Sequence, residues 1–245
     1  MAARTCTTIL LTLAFASLAS AQDLAARLDV AQRSYDAVEA AAVLDQAVSE
    51  AAVKPSRESQ LFVARAGLLT AELLRIEWEQ LPESNLAERR PLGDGIDKAA
   101  DAGLRALESL QPNSETYRLK ADLLATMIRS DYRAKKYRKD MEEAAAMAVE
   151  LDPQNAKAYV AQAKPFIFAE PNEGGDPAKA IALLSTALEL NPDLETARCL
   201  RGLAYKKTGD VEQARADWEL ALEKNPECAP AKEELAKLGE IADSE

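Results

Sequence analysis

Residues 195–228, ETARCLRGLAYKKTGDVEQARADWELALEKNPEC, carry the clearest structural pattern in this chain. Counted from Glu195 as position 1, small residues stand at positions 3, 8, 20 and 27, and bulky residues at positions 11, 24 and 28. Two antiparallel helices that cross closely need small side chains at the crossing and large ones beside it. Gly209 ends the first helix, Asp210 caps the second, and Pro226 closes the unit. The stretch therefore predicts a helical hairpin.

The same pattern recurs toward the N-terminus with a lengthening period. Pro192 lies 34 residues before Pro226, the next interval back to Pro153 is 39 residues, and the one before it is 41. The extra length of the unit before Pro192 falls after its first helix, where Pro165 predicts the end of that helix or a kink. Because one hairpin cannot bury its own apolar face, at least three such units must stack.

This unit resembles the tetratricopeptide repeat (TPR), a 34-residue pattern of Leu-Gly, Tyr, Ala, aromatic, Ala and Pro. It departs from the family at Arg198 and Arg201, where bulky apolar residues are usual. The resemblance is strongest over 155–228 and weakens toward the N-terminus. It implies an all-α fold, a right-handed α-solenoid of TPR-like helical hairpins with N- and C-terminal capping helices.

The chain divides into seven segments on these patterns. They are a signal peptide (1–21), an N-terminal helical segment (22–56), a degenerate TPR-like hairpin (57–112), a TPR-like repeat (113–154), a TPR repeat with an insertion (155–194), a TPR repeat (195–228), and a C-terminal capping helix and tail (229–245). We expect one or two helices in the N-terminal helical segment. A loop is expected over 81–92, between the two helices of the degenerate hairpin.

The first segment has the features of an export signal. Arg4 supplies a positive charge, an apolar stretch runs over 8–18, and Ala19-Ser20-Ala21 forms a small-x-small cleavage site. We therefore expect an exported protein, periplasmic or extracellular, and the alternative is an uncleaved membrane anchor. Since no later apolar run approaches 18 residues, the mature chain is not expected to insert stably into a membrane.

Composition excludes several classes of function. The net charge is −11, from 30 basic and 41 acidic residues, which argues against nucleic-acid binding. Histidine is absent, so Ser-His-Asp and Cys-His nucleophile systems and His-ligated zinc sites are excluded within this chain. No nucleotide-binding glycine motif or nucleophile elbow occurs either. We expect no enzymatic activity, no cofactor and no metal.

The resemblance implies a concave groove that holds partner peptides, lined by positions 2, 5, 9 and 12 of each first helix. In this chain these positions are Lys157, Val160, Lys164, Thr196, Cys199, Leu203 and Lys206. Three lysines favour an acidic or C-terminal peptide, and the alternative is that they are ordinary solvated side chains. The asparagines of chaperone-type carboxylate clamps are missing from these positions.

Two further features stand out. Six basic residues fall within 129–139, and they indicate either contact with an anion, a membrane surface or an acidic partner, or a solvated helix end. They are Arg129, Arg133, Lys135, Lys136, Arg138 and Lys139. Cys199 lies on one first helix and Cys228 directly precedes the next, and successive first helices lie side by side in a solenoid. They can therefore form a disulfide or remain two free thiols.

These observations predict a non-enzymatic protein–protein interaction scaffold in the cell envelope, with a protein or peptide partner in its concave groove. The alternative is a solute-binding or transport-accessory helical protein with a small-molecule pocket. The long helix over 57–80 and the insertion over 164–175 would wall such a pocket.

Overall fold

The computed structural model describes residues 22–242, and every regular element in that part is helical. A single 3₁₀ turn, Pro171–Glu173, follows the seventh helix. The helices are α1 (22–34), α2 (Ala37–Val53), α3 (Arg57–Gln80), α4 (Leu86–Glu108), α5 (Ser114–Met127), α6 (Asp131–Leu151), α7 (Ala156–Phe168), α8 (Pro177–Leu190), α9 (Glu195–Thr208), α10 (Val211–Lys224) and α11 (Ala229–Ala242).

The helices stack as consecutive hairpins. α3 packs on α4, α5 on α6, α7 on α8 and α9 on α10. Between hairpins, α3, α5, α7 and α9 contact one another in turn and form an inner layer, while α4, α6, α8 and α10 lie outside them. α11 follows and packs on α10. The predicted all-α solenoid is confirmed.

The small residues of the repeat lie at the helix crossings, as predicted. Gly202 of α9 faces Trp218 of α10 so closely that a methyl group there would lie 2.5 Å from the indole nitrogen. Gly209 has the left-handed φ of 88° that ends α9, and Asp210 accepts a hydrogen bond from the Gln213 backbone N–H at 3.2 Å. The alanines with no exposed surface include Ala180, Ala187, Ala197, Ala214 and Ala221.

The N-terminal helical segment forms an additional hairpin. α1 and α2 are joined by Tyr35 and Asp36, and Arg27 of α1 donates to Glu39 of α2 at 2.6 Å. Fully buried Ala31 packs in one cluster with Leu73 of α3. The α1–α2 pair therefore extends the solenoid by one unit beyond the degenerate hairpin.

Two helix ends differ from the sequence prediction. α4 starts at Leu86, inside the expected loop, because Asn85 caps it and Pro91 already has the φ of a helix. α7 passes through Pro165 to Phe168, and the Pro165 carbonyl accepts from the Ala169 N–H at 3.0 Å. Proline removes only its own N–H, and the extra residues of the insertion form the 3₁₀ turn.

The first and last units of the solenoid touch each other. The Tyr35 hydroxyl donates to the Glu195 carboxylate at 2.6 Å and lies 3.5 Å from the Cys228 sulfur. Farther along, Gln80 at the end of α3 reaches Glu233 of α11 at 3.5 Å. We call these contacts the seam. They bring the two ends of the described chain together, so the solenoid closes on itself.

Within residues 22–242, no helix combines the length and the apolar character needed to cross a membrane. The predicted signal peptide, 1–21, lies outside the described residues, and so do residues 243–245.

Candidate functional site

Six charged side chains of alternating sign connect the inner helices α3, α5 and α7. Consecutive members are 3.0, 2.9, 2.8, 2.6 and 3.3 Å apart, and the first and last members both lie on α3. We call this set the inner charge chain. In order, it consists of Arg65, Glu115, Arg118, Asp122, Lys164 and Glu72.

The middle of the inner charge chain is buried. Arg118 and Asp122 are each 5% exposed, and the Lys164 side chain is 13% exposed. Burial alone would lower the pKa of Lys164, but the carboxylates of Asp122 and Glu72 outweigh it and raise that pKa. Lys164 therefore stays charged, and every buried charge in the set has a partner of opposite sign, as burial requires.

The inner charge chain also links two helices that are not neighbours in the inner layer. The Lys164–Glu72 contact joins α7 directly to α3 and passes over α5, which lies between them in the stack. Close to it, the Arg75 guanidinium of α3 lies 6.0 Å from the centre of the Phe168 ring of α7. These two contacts therefore connect α3 and α7 directly.

The predicted groove residues separate into three environments. Lys157 and Thr196 are exposed near the N-termini of α7 and α9, and Val160 is 5% exposed in the core between α7 and α8. Cys199 and Leu203 are partly buried in the cluster around Trp218. These residues therefore do not form one continuous open surface.

The three predicted groove lysines differ in their partners. Lys164 belongs to the inner charge chain, and Lys206 donates to Glu234 of α11 at 2.6 Å. Burial would raise the pKa of Glu234, but Lys206 and Lys237 outweigh it and lower that pKa. Among the described residues, Lys157 is the only groove lysine without a hydrogen bond or ion pair.

The predicted basic patch also divides. Arg129 and Arg133 both bind Asp97 of α4, at 2.9 and 2.8 Å, and Arg138 binds Glu173 of the 3₁₀ turn at 2.8 Å. These three arginines fasten α6 and the turn before it to neighbouring elements. The remaining three side chains are exposed on α6, namely Lys135, Lys136 and Lys139.

Cys199 and Cys228 are brought together, as the adjacency of their helices predicted. Their sulfur atoms are 3.3 Å apart and both are free thiols. A covalent S–S bond measures about 2.05 Å. The disulfide therefore stays a prediction, and the two sulfur atoms that it would join are in non-covalent contact.

Two depressions in the described part of the chain are open to solvent. One lies on α6 beside the 3₁₀ turn, and the other lies at the N-termini of α5 and α7 around Asn113, Glu115 and Asn155. No group of three or more acidic or cysteine side chains in 22–242 has the arrangement of a metal site. Neither depression encloses a small molecule.

The inner charge chain and the seam were not predicted from the sequence. The spacing of Glu115, Arg118 and Asp122 by three and four residues was a usable signal, since such spacing places charges on one helix face. Nothing in the local sequence indicates that Tyr35 contacts Glu195, 160 residues later. That pairing depends on the curvature accumulated over all the intervening units.

Comparisons with known proteins agree with this architecture. Residues 172–209 match a family model described as TPR repeat, and 196–228 match one described as Tetratricopeptide repeat. No curated protein matches the sequence.

Among solved structures, TTC0263, a thermophilic TPR protein of Thermus thermophilus, is similar with a TM-score of 0.57. Sequence identity is 16%, and the match covers 87% of this chain and 97% of that one. YrrB, a TPR protein with an unusual peptide-binding site, has a TM-score of 0.43 at 14% identity, with coverage of 87% and 97%. The similarity to TTC0263 shows that the two proteins share a fold.

Proposed function

We propose that this chain, a protein of the tetratricopeptide repeat family, is a non-enzymatic scaffold of the cell envelope that binds segments of partner proteins. The repeats support a role in protein interaction, because stacked hairpins present an extended surface built from many similar helices. Export from the cytoplasm is part of the proposal, and it rests on the features of residues 1–21.

The proposed contact surface is the open edge at the N-termini of the inner helices. The main support is that Lys157 is exposed and has no partner in the described chain. The charges of Lys164 and Lys206, in contrast, are neutralised by carboxylates of this same chain. Thr196 is exposed at the equivalent place on α9. An acidic partner segment would complement Lys157 without breaking a buried ion pair.

Charge reversal tests this surface. The full chain, its Lys157→Glu variant and its Arg215→Glu variant are each immobilised and exposed to envelope extract, and captured proteins are identified by mass spectrometry. Arg215 is the matched control, since it is an exposed cation on the outer helix α10 and the substitution changes charge equally. We expect partners that bind the parent and Arg215→Glu and are lost with Lys157→Glu. Retention of all of them by Lys157→Glu would contradict the proposed surface.

The export part has its own test. Residues 1–21 are fused to a reporter enzyme that is active only after translocation, beside a fusion that lacks them. We expect activity only with the segment, and a mature N-terminus at Gln22 in the processed full chain. Equal activity of the two fusions would contradict export without affecting the interaction surface.

A further inference from the structure

Two thiols lie in contact at the seam. Cys199 is on α9, and Cys228 directly precedes α11, where its carbonyl accepts from the Lys232 N–H at 3.1 Å. Their sulfur atoms are 3.3 Å apart, so an approach of only about 1 Å would bring them to bonding distance. No large rearrangement of α9 and α11 is needed for them to react with each other.

The two thiols differ in access. Cys228 has no exposed surface, and Tyr35 packs against its cluster with the hydroxyl 3.5 Å from the sulfur. Cys199 is partly exposed. A dissolved reagent therefore reaches Cys199 first and reaches Cys228 only through local opening of the seam.

The thiols also differ in acidity. The pKa of Cys228 is lowered because the Cys199 thiol, the Tyr35 hydroxyl and the Ala231 backbone N–H all stabilise its thiolate, which outweighs the opposing effect of burial. The pKa of Cys199 is raised by its hydrogen bond to Cys228 and by burial. When the pair loses one proton, the charge therefore resides on Cys228.

We propose that Cys199 and Cys228 form a reversible thiol–disulfide site that reacts with small disulfides such as oxidised glutathione, with Cys199 as the entry thiol and Cys228 as the resolving nucleophile. The proposal is independent of the scaffold function. Its chemical consequence is a covalent link between the last inner helix and α11.

The reaction proceeds by two thiol–disulfide exchanges. The Cys199 sulfur gives its proton to solvent and attacks one sulfur of the reagent, whose S–S bond breaks and releases one glutathione thiol. The Cys228 thiolate then attacks the Cys199 sulfur, the mixed disulfide breaks, and a second glutathione thiol leaves. The protein pair loses two electrons and two protons, and the reagent disulfide takes them up.

The geometry of the pair predicts different rates for the two exchange steps. The first step is slow, because the reagent must collide with a thiol that is only partly exposed. The second is fast, because Cys228 already lies 3.3 Å from the sulfur it attacks. The mixed disulfide therefore does not accumulate.

The experiment uses the full chain with Cys6→Ser, which leaves the pair as its only cysteines. The folded protein is incubated with oxidised glutathione and analysed by intact mass and non-reducing peptide mapping. We expect one peptide pair joined through Cys199 and Cys228, no glutathione adduct, and full reversal by dithiothreitol. Accumulation of an adduct while Cys228 stays a free thiol would overturn the proposal.

Single variants assign the roles. Cys228→Ser stops at a glutathione adduct on Cys199, and Cys199→Ser reacts about tenfold more slowly than the parent or slower still, because Cys228 needs local opening. Reaction of Cys199→Ser at the parental rate would refute the assignment. Should either variant fail to fold, brief alkylation of the reduced Cys6→Ser protein decides: labelling of Cys199 first supports the proposal, and labelling of Cys228 first contradicts it.

Discussion

Replacing Gly202 by alanine tests the close packing of the last hairpin. A methyl group at this position would lie 2.5, 2.8 and 2.9 Å from three atoms of the Trp218 indole, well inside van der Waals contact. Trp218 has little freedom to move away, because it is 1% exposed and its indole N–H donates to the Cys199 carbonyl at 3.1 Å. The added methyl must therefore displace the indole or separate α9 from α10.

Three contributions set the size of the effect. Overpacking a core costs about 1–3 kcal/mol, and loss of the indole hydrogen bond costs about 1 kcal/mol more. Alanine is the better helix former and returns up to about 1 kcal/mol. We therefore expect Gly202→Ala to lower the free energy of unfolding by about 1–3 kcal/mol.

The measurement is urea denaturation of the full chain followed by far-UV circular dichroism, with native-state hydrogen exchange to show where protection is lost. Gly239→Ala is the matched control, since a methyl group at that helical position would have no atom of another described element within 4 Å. It should raise the free energy of unfolding by about 0.5–1 kcal/mol. The reasoning fails if Gly202→Ala is as stable as the parent, or if the lost protection lies outside α9 and α10.

Three other substitutions test the ion pairs and the seam. Asp122→Asn leaves Lys164 with one partner in a buried setting, and we expect a loss of about 3–5 kcal/mol in urea denaturation; a change below about 1 kcal/mol would contradict the buried pairing. Tyr35→Phe removes the hydroxyl bonded to Glu195, so amides of α1 and α11 should exchange faster while those of α5 and α6 do not change. Burial raises the pKa of Glu115, but its two arginine partners outweigh it and hold that pKa below the usual value. Its stabilising contribution is therefore present above about pH 4.3 and is lost as pH falls through the lowered pKa, so the stability difference between parent and Glu115→Gln should shrink below about pH 4.

The repeat pattern predicted the fold because each unit is specified locally. Gly209 and Asp210 set the turn between two helices, and the buried alanines set how closely those helices cross. Of the two effects expected of Pro165, an end of the helix is not found, since a proline in the last turn removes one hydrogen bond and α7 continues to Phe168. Local rules of this kind give the helices and their order with small errors at the ends.

The candidate site was less predictable. Lys157 and Thr196 are exposed near the N-termini of α7 and α9, and the repeat positions predict that both line a groove. They did not show that Lys164 and Lys206 are paired within the chain, because those partners come from other helices. Which face a residue occupies follows from its position in the repeat, but its partner follows from packing between units.

A stack of helical hairpins is therefore predictable from local sequence, because small residues, caps and prolines act over a few residues. The folded structure alone shows that the ends of the stack meet, that α3 contacts α7 over α5, and that Tyr35 lies against the pair of thiols. These contacts join residues far apart in the chain. Their distances depend on small rotations between units that add up along the solenoid, and no local pattern records that sum.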